Sequence, residues 1–560
     1  MDTVPIVDSL DQIYTDGLLD QAQRYDQLAQ GFEALYGQPP ALIARAPGRV
    51  NLIGEHVDYC GFPVFPMAIE RDCLIAVAWE PASAEARTTT TTTTTVRLSH
   101  VHSDQYPACV FTHPSPAELA RHPGVPAVVD ISANRLTWSN YFKCGYRGAH
   151  ELMAQTAAEL PASAAKPPYL SSHHHPSGLN CLMNGNIPTG AGLSSSSAFV
   201  SCAAIATMAA HELLPLTSGN ANPSPPAYTI TTPPSASVQR NLDRTRLTEI
   251  AISSERYVGV NSGGMDQTCS IMSQPNSASF IEFYPRLRAT PVAVPRVQPA
   301  LTFVIANSGV TSDKLVTAPV CYNLRVVETR LGALLLARYL GIDQRPALAQ
   351  APPNNRHFKL VMDEPSTTTT TTATATTTSP SQSLRETGWT RTQISQVLDT
   401  PWPQLERQIE VDRFPIHAEV FHVYRRAHHV FSEALRVVQF RQICQQAPLS
   451  ATAVDHLFQK LGQLMNDSQT SCRDWFDCSC PELDELTYIC RAAGAVGSRL
   501  TGAGWGGCTV SLVPSDRVDH FLRTVHREYY QVRNPALGDE PNQSDLFATQ
   551  PGRGAVIYRV

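Results

Sequence analysis

The side chains able to do chemistry gather in glycine-containing clusters. The first runs from Arg45 to Tyr59, Arg-Ala-Pro-Gly-Arg-Val-Asn-Leu-Ile-Gly-Glu-His-Val-Asp-Tyr. It sets Arg49, Asn51, Glu55, His56 and Asp58 around Gly48 and Gly54. Carboxylates accept hydroxyl hydrogen bonds and an imidazole donates or accepts, so the group suits a polyol or sugar. The alternative is a solvated loop with surface charges. Its apolar flanks, Val50, Leu52, Ile53 and residues 64–67, weaken that alternative by drawing the loop towards a core.

The second cluster is Asn-Ile-Pro-Thr-Gly-Ala-Gly-Leu-Ser-Ser-Ser-Ser-Ala, from Asn186 to Ala198. A strand-like run, Cys181 to Asn184, precedes it, and a helix-like run of small apolar residues, Ala198 to Leu214, follows. Gly190, Gly192, Leu193, Ser194, Ser195, Ser196 and Ser197 therefore lie where a loop enters a helix. There the free N–H groups and the helix dipole favour an anion. The glycines admit close backbone approach, and the serines add donors and an oxygen ligand for Mg²⁺. Neither a Walker loop nor a Rossmann fingerprint is present. A serine-rich helix cap is the other reading.

Ser262-Gly-Gly-Met-Asp-Gln267 places Asp266 beside two glycines, between a helix-like and a strand-like stretch. The pattern alone leaves it open between a turn residue and a catalytic base. The last cluster, Ser498 to Cys508, holds four glycines in Gly-Ala-Gly-Trp-Gly-Gly, running into the strand-like residues 509–513. That is either a second phosphate-side loop or a tight connection between strands. Cys472, Cys478 and Cys480 lack the paired spacing and fourth ligand of a zinc site and read as free thiols. The triplet His173, His174 and His175 sits in a Ser/Pro-rich stretch and reads as compositional drift.

The elements that must position these residues alternate strand and helix signals. Residues 74–79, 301–306 and 509–513 are apolar runs of strand length. Residues 416–446 read as a helix, with Phe421, Tyr424, His428, Phe431, Leu435 and Val438 on one face. Arg425, Arg426, Glu433 and Arg436 largely take the other sides. The irregular order predicts an α+β protein. Thr88 to Thr95, residues 161–177, 220–237 and 365–383 are rich in Thr, Ser and Pro. They read as surface loops or disorder.

The chain's 560 residues suggest about three domains, or two large ones padded by insertions. Charged residues are 16 %, below the roughly 25 % of an average soluble protein. The net charge of −6 argues against a nucleic-acid binder. No run of about 18 apolar residues predicts a transmembrane helix, and no secretory signal is visible. Fourteen cysteines are too sparse for a disulfide scaffold, and a reducing, cytoplasmic setting follows.

Taken in order, residues 49–59, 188–198 and 498–507 resemble the three signature motifs of the GHMP small-molecule kinases. Gly-Arg-Val-Asn-Leu-Ile-Gly-Glu-His-Val-Asp-Tyr, residues 48–59, is similar to the galactokinase signature in particular. The resemblance is strongest to the eukaryotic branch holding the fungal galactokinases and N-acetylgalactosamine kinase. Asp58-Tyr-Cys-Gly61, Arg426-Ala-His-His-Val430 and Cys478-Ser-Cys-Pro-Glu-Leu-Asp484 carry it.

The resemblance implies two α+β domains, 1–285 and 286–560, with the active site in the cleft between them. It implies Arg49, Glu55, His56 and Asp58 in a sugar site. Asp266 would take the proton of the sugar's C1 hydroxyl beside Arg49. Gly190 to Ser197 would cradle ATP, with Ser196 as Mg²⁺ ligand, and Asp313 and Lys314 on the nucleotide. The implied activity is galactose 1-phosphorylation from ATP. The same chemistry on N-acetylgalactosamine is the nearest alternative. A galactose sensor that holds a transcriptional repressor is the alternative of another class. The best-known form of such sensors has lost residues from the serine run, which here is complete from Ser194 to Ser197. No nucleic-acid or membrane partner is expected.

Overall fold

The computed structural model describes residues 2–80, 93–114, 129–131, 137–160, 178–214, 241–259, 262–311, 318–341, 387–411, 415–446 and 451–560, without the side chains of 451 and 452. The stretches read as insertions at 161–177, 220–237 and 365–383 lie outside the described residues. So do residues 88–92, the three adjacent histidines, Asp313 and Lys314.

Two sheets carry the site. The larger is built from β1 (Ile6–Val7), β2 (Leu42–Ile53), β3 (Phe65–Trp79), β4 (Thr93–His100), β5 (Cys109–Pro114), β6 (Gly178–Gly185) and the last strand, β15 (Val556–Arg559). Its order is β1-β15-β2-β3-β6-β4-β5. A hairpin of β7 (Ser277–Glu282) and β8 (Arg288–Ala293) follows, then β9 (Leu301–Asn307). A short pair, β10 (Trp389–Thr390) and β11 (Val420–Phe421), comes next. The second sheet adds β12 (Gly497–Thr501), β13 (Cys508–Pro514) and β14 (Leu546–Thr549) to β9, in the order β12-β13-β9-β14.

β2 is buried along its whole length, its polar Arg45, Arg49 and Asn51 included. One face of its sheet packs on α1 (Leu18–Tyr36) through Tyr25, Leu28 and Phe32. The other packs on α2 (Ser139–Glu159) and α3 (Ser195–Leu213). Alanine, serine and cysteine let α3 lie close against β2 and β3. α4 (Arg244–Glu255) and α5 (Met265–Met272) follow. α6 (Tyr322–Leu340), α7 (Val423–Gln445) and α8 (Ala451–Ser471) lie on the side of the second sheet, and Val437, Phe440, Leu461 and Met465 join the core of the first. Among the described residues no helix is long and apolar enough to cross a membrane. All fourteen cysteines are free thiols.

Two expectations are corrected. Thr93 to Thr95 are not loop: they open β4, pairing with β5, and Thr94 is buried. β-branched threonine suits a pleated strand, and Thr94, Val96, Leu98 and His100 alternate inwards. The long helix starts at Val423, not near 416, and its buried face differs. Val423, Arg426, His429, Val430, Glu433, Val437 and Phe440 face inwards, whereas Tyr424, Leu435 and Val438 are exposed. The polar members of that inner face are hydrogen-bonded, which permits their burial.

Candidate active site

β2 delivers the first cluster. Its pairing with β3 shifts register between Pro47 and Arg49 and again between Asn51 and Ile53. Such irregularities re-aim side chains beside functional sites. A Cβ on Gly48 would meet the carbonyl oxygen of Leu193 at 2.8 Å. The bare backbone there lets the Arg49 N–H bond Leu193 O at 3.2 Å.

Arg49 is buried and joins two clusters. Its Nε and Nη2 each lie 2.7 Å from Asp266 Oδ1, and its Nη1 donates to Gly192 O at 2.6 Å. Asp266 stands in the first turn of α5, where the dipole favours a carboxylate. The pair is nearly dry, so its attraction is weakly screened.

Asp58 opens a short 3₁₀ turn, residues 58–60, and faces the same segment. Its Oδ2 accepts the Met265 N–H at 3.4 Å. Burial, then the nearby charge of Asp266, pushes its carboxyl up to about 6. Tyr322, the first residue of α6, is buried among these groups. Its phenol is raised by burial and by the charges of Asp58 and Asp266.

Glu55 is held by its own protein. Oε2 accepts from Arg499 Nη2 at 2.7 Å and Asn51 Nδ2 at 3.2 Å, and Oε1 accepts the Gly502 N–H at 3.1 Å. His56 adopts a left-handed backbone, φ 58°. Its Nδ1 lies 3.0 Å from Tyr59 Oη and its Nε2 2.9 Å from Ala503 O. The ring of Phe476 lies 4.7 Å from it.

The second cluster enters α3 as the spacing predicts. Ser194 is the N-cap residue with φ 60°, and the first helical bond is Ala198 N–H to Ser194 O, 2.9 Å. The N–H groups of Ser195, Ser196 and Ser197 thus lack intrahelical acceptors. Ser194 Oγ is buried with no hydrogen-bond partner among the described residues. Ser195 and Ser196 are half-buried. Gly190 and Gly192 have φ of 67° and 74°. A Cβ on Gly192 would meet Thr501 O at 2.6 Å. Open N–H groups, an unsatisfied hydroxyl and bare glycines make an anion cradle.

The last cluster is a tight connection between strands, antiparallel β12 and β13, and it lies against the cradle. Cys508 N–H bonds Ala191 O at 2.9 Å, and Asn51 N–H bonds Thr501 Oγ1 at 2.9 Å.

Sequence reasoning missed several residues. Arg499 sat beside the glycines, a proximity that was a signal. Glu255, at the end of α4, is buried and accepts from Ser197 Oγ at 2.7 Å and from Gln267 Nε2. Nothing marked it, since a lone acid on a helix is ordinary. His429, Glu433 and Tyr322 carried no local signal either. Hard oxygen ligands suit Mg²⁺, and two stand near the loop: Ser196 is half-buried at the start of α3, and the Glu255 carboxylate reaches its neighbour Ser197.

Known proteins resemble this chain along most of its length. Residues 30–79 match the model "Galactokinase galactose-binding signature". Residues 157–221 match "GHMP kinases N terminal domain" and 450–531 match "GHMP kinases C terminal". The chain is 35 % identical to a galactokinase of Dictyostelium discoideum, covering 99 % of this chain and 97 % of that one. It is 33 % identical to a galactokinase of Saccharomyces cerevisiae, covering 96 % and 95 %. A solved Lactococcus lactis galactokinase complexed with galactose shares the fold at 21 % identity, with a TM-score of 0.56 over 96 % of this chain and all of that one.

Proposed function

The chain belongs to the galactokinase family, and on that premise we propose that its residues transfer the γ-phosphoryl group of ATP to the C1 hydroxyl of galactose. The observation that carries the reading is Arg49. One guanidinium bonds both the candidate base, Asp266, and the phosphate loop, through Gly192 O. Sugar and phosphoryl sites are thereby held at a fixed separation.

In this reading Asp266 accepts the C1 hydroxyl proton as the oxygen attacks the γ-phosphorus and ADP leaves. Arg49 keeps Asp266 ionised and faces the charge of the transferring group. Asp58, with His56 and Tyr322 around it, orients the sugar hydroxyls, and Glu55 serves chiefly through Arg499 to fix the segment. Ser194 to Ser197 and the α3 N–H groups hold the phosphates of ATP. Asp313 and Lys314 are assigned to the nucleotide. Ser196 and Glu255 would hold Mg²⁺, which when bound neutralises phosphate charge. Most of the rate then comes from positioning and electrostatics.

We also propose a division near residue 285, with 553–560 counted in the first domain because β15 lies in its sheet. The fourteen free thiols support a cytoplasmic location.

The test is ATP consumption by the purified protein with galactose, N-acetylgalactosamine, glucose or mevalonate. Turnover with galactose well above the others is expected. Preference for N-acetylgalactosamine would change the substrate, and galactose binding without turnover would make the protein a sensor.

A further inference from the structure

The turn that precedes Asp58 is conformationally demanding: Gly54 has φ 105° and His56 φ 58°. Its peptide groups are gripped from α7, an element that supplies no side chain to the proposed sugar contacts. Glu433 Oε1 accepts the Gly54 N–H at 2.9 Å and the Glu55 N–H at 3.2 Å. One helical turn earlier, His429 Nε2 lies 3.0 Å from Glu55 O, and its Nδ1 lies 2.9 Å from Ser471 Oγ. A carbonyl only accepts, so Nε2 carries the proton and Nδ1 accepts from the serine hydroxyl. Burial holds this imidazole down at about 4, neutral as that pattern requires.

The carboxylate is itself fixed. Its Oε1 also accepts from Ser468 Oγ at 2.7 Å, and its Oε2 from Arg436 Nε at 2.8 Å. Ser468 Oγ accepts from Arg499 Nε at 3.0 Å, and Arg499 returns to the Glu55 carboxylate. A closed circuit therefore holds Glu55 at its N–H, its C=O and its side chain. Burial alone would raise Glu433, but Arg436 and Arg499 reverse that and hold it at about 2. It is an anion throughout the physiological range.

We propose that Glu433 is a positioning residue for sugar recognition, its carboxylate fixing the Gly54–His56 turn so that His56 and Asp58 meet the sugar in one geometry, with His429 holding the adjoining carbonyl. The proposal rests on the assignment of His56 and Asp58 to the sugar site. It predicts a split between the substrates, because the phosphate loop is held by other contacts.

Steady-state kinetics on the full chain tests it. Glu433→Leu should raise KM for galactose on the order of tenfold or more, since displacement of a recognition group by about 1 Å is costly. KM for ATP should stay within about twofold. Glu433→Gln, whose amide oxygen still accepts the turn's N–H groups, should recover most of the loss. Should Glu433→Leu fail to fold, the same split is read on His429→Leu, with a rise of about threefold or more in galactose KM. Equal rises in both KM values, or an unchanged galactose KM in a folded variant, overturns the proposal. Wild-type protein that neither binds nor turns over galactose overturns the sugar assignment instead.

Discussion

Asp266 and Asp58 face one another's charge, yet only Asp266 has an arginine on it. That difference separates their roles. For Asp266→Asn the shape is retained and the base removed. We expect kcat to fall by about 10²–10⁴-fold with galactose binding by calorimetry little changed; near-normal turnover would remove Asp266 from the chemistry. Asp58 instead carries a cost in the free protein. Its folded carboxyl titrates near 6, above the usual carboxylate range, so the folded state binds the proton more tightly than the unfolded one. Stability therefore falls as pH rises from about 4 to 6, and the whole cost is present at pH 7. Asp58→Asn should stabilise the free protein at pH 7 by about 1–3 kcal/mol, a gain that shrinks towards pH 4, while weakening galactose binding. Urea denaturation at pH 4, 5.5 and 7 reads this, and a pH-independent difference would contradict it. Arg49, His56 and Asp58 stood out in the sequence as a dense polar run around Gly48 and Gly54, whereas Asp266 was singled out as the base only by the family resemblance. Arg499 reaches Glu55 across 444 positions and Glu255 reaches Ser197 across 58, and local pattern says nothing about such partners.

Strands and helices were legible where one force set their pattern. β9, β13 and the α3 entry follow from apolar runs and a glycine-serine loop. α7 misled because its inner face is partly polar: Arg426, His429 and Glu433 are buried on hydrogen bonds among Val430, Val437 and Phe440, and Leu435 and Val438 are left outside. A rule that sends apolar residues inwards inverts such a helix. The threonine tract misled in the opposite sense. Low complexity suggested filler, but Thr93 to Thr95 face Pro114, His113 and Thr112 of β5, and Thr95 also faces Gly178 of β6. Deleting Thr93–Thr95 removes the buried Thr94 and several ladder bonds, each worth about 0.5–1.5 kcal/mol. A loss of at least about 2 kcal/mol in urea denaturation is expected. A loss below about 0.5 kcal/mol would return the tract to filler.

At the scale of the molecule, the chain's end completes the sheet that holds the sugar segment. β15 lies between β1 and β2, with Val556 and Ile557 buried. No local signal in a short terminal run tells which distant strand it joins. The segment also reaches the site's supports. Arg45 Nη1 donates to Arg553 O and Gly554 O at 2.7 and 3.1 Å. The Gly554 N–H bonds Ser273 O at 3.0 Å, just beyond the helix that carries Asp266. Removing residues 553–560 deletes two buried apolar side chains, Val556 and Ile557, whose burial is worth roughly 1.5–3 kcal/mol each. It also strips buried partners from Arg45, at about 1–3 kcal/mol. The sum is roughly 4–9 kcal/mol, set against a typical folding stability of about 5–15 kcal/mol. Arg45 keeps Asp72 at 2.6 Å, so the loss stops short of a fully unpaired buried charge. The truncated chain should therefore be marginal: a melting transition lowered by more than about 10 °C or lost, with galactose affinity lost alongside. Calorimetry of the truncated and full-length proteins decides it. A cooperative transition within about 3 °C of the full-length value would mean that β15 is an appendage and that β2 holds the sugar segment without it.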